Sequence, residues 1–248
     1  MKTTEAVPGA PCWVELATAD PVVAKSFYHE LFGWRAEREE GAGGRTGMHL
    51  GEDLVAALAP PADPGRPAAW TLGFHVPDVD AAAAEAVAAG GALLRPPAAL
   101  PAPGRSAVLA DPGGAAFEVR SPTARRLDRR DEPGALGWVE LAARDPRTVA
   151  AFYARLFGWS VAPGETYTQF GLGGRDFGGM TDMADQFPAD TPPYWMPYFT
   201  VVDVDLSTER AALLGATVTL PPTDVPDGPR LAVLHDPAGA VLGIHAPL

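Results

Sequence analysis

Two glutamates occupy the same setting 125 residues apart, Glu15 and Glu140, each inside the string WVELA. Each follows a tryptophan, Trp13 or Trp138, by two positions, and side chains alternate along an extended chain, so each Trp–Glu pair shares one strand face. A carboxyl beside an indole can anchor a polar ligand group, and it can exchange protons if burial lifts its pKa toward neutrality. The plainer alternative is a carboxylate paired with an arginine or a backbone group, or one facing solvent, because buried acids are usually paired. A second group of residues lies between positions 167 and 199, a stretch crowded with large soft side chains that include Tyr167, Phe177, Met180, Trp195, Met196 and Tyr198. Stacking rings and adaptable methionines suit a flat organic ligand in a mostly apolar cavity, although each residue taken singly is equally at home in a core. The corresponding stretch of the first half, 42 to 74, holds far fewer of them.

Several chemistries lack their signature. There is no GxSxG, no HExxH and no GKS/T ending to the glycines between Gly171 and Gly179, which therefore read as spacers between short strands. Cys12 is the only cysteine, so an intrachain disulfide and a cysteine zinc site are excluded, and a small buried apolar role is expected.

The repeated string belongs to a larger duplication. Residues 8 to 34 and 133 to 159 agree at 16 of 27 positions without a gap, and the same offset carries Trp70 onto Trp195, FHVPDVD onto FTVVDVD and ADPGG onto HDPAG. A period this long is a repeated domain, since solenoid units run at roughly 20 to 50 residues. A fainter repeat divides each half: Thr71 stands seven residues before Asp78 as Trp13 does before Asp20, and Met196 before Asp203 as Trp138 does before Asp145. The expected organisation is a first domain over 1–123 (modules at about 10–60 and 69–122), a linker over 124–132, and a second domain over 133–248 (modules at about 135–185 and 194–247).

Each module reads as β-α-β-β-β. Val14 and Leu16 form the core-facing set of the first strand. Asp20 and Pro21 open a helix with the stripe Phe27, Leu31 and Phe32, which Gly33 closes; Asp145, Pro146 and Gly158 repeat the device. Three strands around WRAERE, GMHL and LVAALA follow. The second module has the strand WTLGFHV, an Ala-rich helix ended by Gly90 and Gly91, and a hairpin turning at Asp111-Pro112-Gly113-Gly114. The mixed run Arg125 to Arg130 reads as a solvated linker.

With 19 Lys and Arg against 31 Asp and Glu, the net charge of −12 disfavours nucleic-acid partners, which reward clustered basic residues. The N-terminus has no apolar signal core and no segment has the length of a membrane span, so a cytoplasmic protein with no membrane partner, as monomer or homodimer, is expected.

The strand with Asp seven residues on, the FYxxLFGW helix end, the FxVxDVD string and the final DPxG hairpin together resemble the vicinal oxygen chelate superfamily, also called the glyoxalase/bleomycin resistance/dioxygenase fold. The resemblance covers both halves and implies an α+β fold: a tandem repeat of two glyoxalase/bleomycin-resistance-like domains, each made of two paired βαβββ modules curving around a cavity. Tandem members are frequent among actinobacterial proteins, which suits the Ala, Gly, Pro and Arg bias here. The superfamily's metal enzymes set a His or Glu on the first strand of each module and a carboxylate on the last. Mapped here, the first-strand positions are Trp13, Thr71, Trp138 and Met196, and the last-strand positions are Glu118 and Gly243. Only Glu118 is a usual ligand, so neither a metal nor any other cofactor is expected.

What the resemblance does imply is a cup in each domain. In the first, Glu15, His75 and Glu118 are the acid–base candidates, because a histidine between two carboxylates would have its pKa raised. His245, on the face of Gly243, joins Trp13, Trp138, Glu140, Tyr167, Phe177, Met180, Trp195, Met196 and Tyr198 as a candidate ligand-binding residue. The expected function is metal-independent binding of an aromatic or polycyclic natural product, for self-resistance or within its biosynthesis. A metal-free tailoring enzyme of the cyclase or hydroxylase-like kind, and a metal-dependent lyase or extradiol-type dioxygenase with unusual ligands, are the alternatives.

Overall fold

The computed structural model describes all residues except 1, 3, 4, 39–43, 66, 101, 102, 165, 166, 185, 186, 227 and 248. The expected domain ends Met1 and Leu248, and the last residue of the WRAERE strand, Glu39, thus lie outside the described residues. The first module runs β1 (Pro11–Ala17), α1 (Pro21–Phe32), β2 (Arg35–Arg38), β3 (Thr46–Leu50) and β4 (Asp53–Ala59). The second has β5 (Ala69–His75), α2 (Val79–Ala88), β6 (Ala92–Ala99), β7 (Arg105–Ala110) and β8 (Ala116–Arg120). The third is β9 (Leu136–Ala143), α3 (Pro146–Phe157), β10 (Ser160–Pro163), β11 (Tyr167–Leu172) and β12 (Arg175–Asp182). The fourth is β13 (Tyr194–Thr200), α4 (Val204–Leu213), β14 (Thr217–Asp224), β15 (Arg230–His235) and β16 (Val241–Ala246).

Each domain is one eight-stranded sheet, ordered β2-β3-β4-β1-β5-β8-β7-β6 in the first and β10-β11-β12-β9-β13-β16-β15-β14 in the second. The two modules join through the antiparallel pairs β1/β5 and β9/β13, and each first strand lies parallel to its module's last. The helices start and stop as their caps dictate. Asp20 Oδ1 accepts from Val23 N at 3.0 Å, and Gly33 takes φ +75°, a left-handed conformation that costs glycine nothing. Asp145 and Gly158 do the same for α3.

Val14 and Leu16 point to the face where Ala24, Phe27 and Tyr28 of α1 lie buried, leaving Trp13 and Glu15 for the other face. The core does not stop at the domain boundary. Phe74 of the first domain contacts Phe157, Trp159 and Trp195 of the second, and Phe199 of the second contacts Phe32, Trp34 and Trp70 of the first. Polar groups cross reciprocally as well. Tyr28 donates to Asp236 (2.8 Å) and Tyr153 to Asp111 (3.1 Å), while the indole N–H groups of Trp34 and Trp159 donate to the carbonyls of Gly134 and Gly9. The same two aspartates close the DPxG turns by accepting backbone N–H groups, Ala115 N on Asp111 and Ala240 N on Asp236. The FY and DPxG strings of each copy therefore lock onto the other copy.

The stretch expected to be a solvated linker is packed against the first domain. Leu127 is buried and its N–H donates to the Cys12 carbonyl, Asp128 exchanges bonds with the Leu54 backbone, Arg129 pairs with Asp53 at 2.6 Å, and Arg130 donates to the Pro11 carbonyl. Mixed charge hid this, because Arg129 and Arg130 find acceptors that only the folded strands supply. Cys12 is buried as expected, and burial pushes its thiol up to about 12. Among the described residues no helix is long and apolar enough to cross a membrane.

Candidate functional site

The candidate residues of each domain share the sheet face opposite the helices, here called its cup. In the first domain the register aligns Trp13 with Gly73 and Glu15 with Thr71 across β1/β5, and Gly73 with Glu118 and His75 with Arg120 across β5/β8. Alternation thus brings Glu15, His75 and Glu118 to one face, but ion pairs occupy it. Both Glu15 oxygens accept from Arg45 (2.7 and 3.3 Å), and Glu118 is held by Arg120 (2.9 Å) and Arg95 (3.2 Å). The Arg120 guanidinium lies 4.2 Å over the Trp13 ring, and its side chain is only 4% exposed. Gly73 makes this possible, because a Cβ there would stand 2.8 Å from the Trp13 Cβ and 2.9 Å from the Arg120 Cδ.

Two expectations for this cup change. Trp13 is roofed by Arg120 and buried, so it presents no ring to a ligand. His75 does not gain basicity from the carboxylates, which the arginines hold; burial instead lowers it to about 4, with Arg126 and Arg120 adding repulsion. Neither of its ring nitrogens has a hydrogen-bond partner among the described residues.

The second cup is built differently on the same register. Glu140 lies opposite Met196 on β13 and Gly179 on β12, while Tyr198 aligns with Trp138 and with Gly243. Two tyrosine rings lie where side chains are missing: a Cβ at Gly179 would collide with the Tyr167 ring, and one at Gly243 with the Tyr198 ring. The phenols of Tyr167 and Tyr198 act on Glu140 to lower its pKa, and the Trp138 indole donates to the Tyr167 oxygen at 2.9 Å. Burial nevertheless outweighs them and raises Glu140 to about 7. Burial and the nearby Glu140 charge keep the phenols of Tyr167 and Tyr198 well above their usual range, so both stay protonated at neutral pH. Trp138, Glu140, Tyr167 and Tyr194 are partly exposed, while Met196 and Tyr198 are buried. His245 sits behind Tyr198 (rings 6.3 Å apart), beside the Thr200 hydroxyl at 3.2 Å, and burial lowers it to about 4.

Three of the expected ligand-binding residues go elsewhere. Trp195 is a core residue whose indole donates to Tyr153 and packs against Phe74. Met180 pairs with Leu141 on the core face. Phe177 sits at the bulge between β11 and β12 and turns onto Trp159, 4.9 Å away. The constant offset misled here. Glu15 pairs with Ala57 but Glu140 with Gly179, so the copies slip by three residues over β12, and Met180 corresponds to the core residue Leu58. Sequence reading also missed Arg45, Arg95 and Arg120, and left Tyr194 of the aromatic stretch off the candidate site. Two of them carried a signal, since Arg120 lies two after Glu118 and Tyr194 two before Met196, both positions on the cup face by alternation.

A model of the Glyoxalase/Bleomycin resistance protein/Dioxygenase superfamily matches residues 12–119, and a model of a glyoxalase-like domain matches 138–244. The anthracycline biosynthesis protein DauV of Streptomyces sp. (strain C5) is 37% identical over 268 residues, spanning 96% of this chain and 93% of its own. CFP32 of Mycobacterium bovis, whose name carries the word glyoxylase, is 35% identical over 259 residues, spanning 99% and 98%. The chain belongs to the glyoxalase/bleomycin resistance protein/dioxygenase superfamily. Solved superfamily structures share its fold at low identity. The Mn(II)-bound glyoxalase from Novosphingobium aromaticivorans matches with a TM-score of 0.68 (19% identity, 99% of this chain and 82% of that one). The 2,3-dioxygenase LapB from Pseudomonas sp. KL28 matches at 0.69 (14% identity, 98% and 93%).

At the superfamily's ligand positions the side chains present do not fit a divalent cation. The expected ligand positions hold Trp13, Thr71 and Glu118 in the first cup and Trp138, Met196 and Gly243 in the second, and Glu118 already neutralises Arg120. No group of three His, Cys, Asp or Glu residues suited to a metal occurs among the described residues. Indole, thioether and hydrogen side chains supply no hard oxygen or imidazole ligand.

Proposed function

We propose that the protein binds an aromatic or polycyclic natural product in the second cup, without a metal, in the service of that compound's biosynthesis or of self-resistance. One observation carries the reading: the partly exposed aromatic residues Trp138, Tyr167 and Tyr194 border Glu140, whereas the matching surface of the first cup is filled by ion pairs. Aromatic walls with a few polar groups are the usual make-up of a site for a flat organic molecule. The relatives DauV and DnrV support it, since both are named for the biosynthesis of anthracyclines, which are fused polycyclic compounds.

The test is calorimetric titration with a tetracyclic anthraquinone-type aglycone. Saturable binding is expected, weakened about tenfold or more by Tyr194→Ala, in keeping with the loss of one stacked ring. The first-cup substitution Arg95→Ala should leave it unchanged. No heat of binding with a panel of such aglycones, or equal sensitivity to Arg95→Ala, would refute the reading.

A further inference from the structure

The cups also differ on the strands farthest from Glu15 and Glu140. One row of register partners crosses each sheet: Arg95, Val108, Glu118, Gly73 and Trp13 in the first domain, and Leu220, Val233, Gly243, Tyr198 and Trp138 in the second. A β-bulge aims the outermost side chain of each row. Val218 pairs with the core residue Leu234, the register then shifts, and Leu220 pairs with Val233, so the extra residue turns Leu220 onto the cup face. Arg95 follows the same shift after Leu93, and its guanidinium reaches Glu118 Oε1 at 3.2 Å, which fixes the direction of this position. The charged row of the first domain thus has an uncharged counterpart. Leu220 is 38% exposed, and Leu231, Val233 and Val241 are partly exposed beside it, while the alternate residues Ala232, Leu234, Leu242 and Ile244 are buried in the core. The positions of Leu220, Leu231 and Gly243 hold Arg95, Ser106 and Glu118 in the first domain. Single exposed aliphatic residues are ordinary on a surface, whereas a contiguous group of them marks a place where something binds.

We infer that this aliphatic group is the far half of the ligand site, that the fused rings of the ligand lie along the row from Trp138 toward Leu220, and that Leu220 selects for a long, uncharged ring system. The inference rests on the binding reading above and adds the length and direction of the ligand. Neighbouring strands lie about 4.8 Å apart, and β9, β13, β16, β15 and β14 follow one another across the sheet, so the row is about 19 Å long. Two fused rings stacked at Trp138 end short of Leu220, whereas four rings laid along the row reach it. An uncharged ring face covers aliphatic side chains without desolvating a polar group, and that is the favourable term such a surface offers. The first cup cannot take the same ligand in the same way. Its outermost position carries the Arg95 charge, and Glu118 stands where the second cup has only Gly243.

The experiment is equilibrium dialysis of the full chain, in mildly acidic buffer that keeps the phenols uncharged, against three hydroxyquinones that differ in ring number: naphthazarin with two fused rings, quinizarin with three and dihydroxynaphthacenequinone with four. Affinity should rise about tenfold or more from two rings to four. Leu220→Ser should weaken the four-ring compound about tenfold and leave the two-ring compound unchanged, which also reports that the cup is intact. Leu220→Met should keep the affinity of the wild type, and Leu220→Arg, which brings a charge with no glutamate opposite, should weaken the four-ring compound further. Equal affinity for all three compounds, no effect of Leu220→Ser on the four-ring compound, or equal weakening of all three by it would each overturn the assignment of the row and leave the binding reading intact. Absence of binding by every compound to the wild type would overturn the two together.

Discussion

Glu15 and Glu140 begin from the same five-residue string and end in opposite electrostatic situations. The register identifies what differs. Arg45 stands two residues before Gly47, which pairs with Ala57, and Tyr167 stands two before Gln169, which pairs with Gly179, so guanidinium and phenol occupy the same place over the glutamate. A second exchange sits across the neighbouring strands, where Gly73 faces Glu118 in one cup and Tyr198 faces Gly243 in the other. Each pair keeps one glycine and one large side chain, so the space is filled in both copies. The first cup is filled with ion pairs, the second with neutral rings. A duplicated scaffold thus carries opposite chemistry at matching positions.

The sharpest way to break this contrast is Arg120→Ala. It strips the buried partner from Glu118 and the cover from Trp13, and leaving a buried carboxylate short of its cation costs about 3 to 5 kcal/mol. Urea unfolding should register the loss, and a change near zero would mean that the first cup is not held by charge.

Next in size is the pH response of the second cup. Glu140 titrates at about 7 in the folded protein against an ordinary 4.5, so the folded state binds the proton more tightly. Stability from this group is complete below the ordinary value and is lost as pH rises through about 7, by up to ~3 kcal/mol for a shift of this size. Thermal melts at pH 5 and pH 8 should therefore converge in Glu140→Gln relative to wild type. Equal pH dependence in the two proteins would show Glu140 to be solvated like any surface acid.

The smallest effect sharpens the glycine–tyrosine exchange. Gly243→Ala places a methyl group into the Tyr198 ring, and overpacking of this kind costs about 1 to 3 kcal/mol. In a Tyr198→Ala background the cost should fall, and a double-mutant cycle with no coupling would show that the ring does not depend on the missing side chain.

Much of this was legible in the residues. The helix caps at Asp20 and Asp145, the left-handed stops at Gly33 and Gly158, and the inward set Val14 and Leu16 follow from local rules that act over a few residues. The face shared by Glu15, His75 and Glu118 also followed, through alternation. Who pairs with whom on that face did not, because Arg45 is 30 residues from Glu15 in the chain and arrives only through the β3/β4/β1 register. The aromatic wealth of 167–199 was visible, but its division was not: Tyr167 and Tyr198 entered the cup, while Phe177, Met180 and Trp195 entered the core. A bulge and a three-residue slip over β12 decide that division.

The sequence by itself determined that there are two like domains of four βαβββ modules, and which faces of the first strands lie away from the core, since the duplication, the caps and the period of two are all local in origin. Tertiary structure alone decided that one cup is lined by ion pairs and the other by phenols, and that the FY and DPxG strings clasp opposite halves. Those outcomes depend on strand register and on burial, which set the partners and the pKa of each carboxyl group only once distant segments have met.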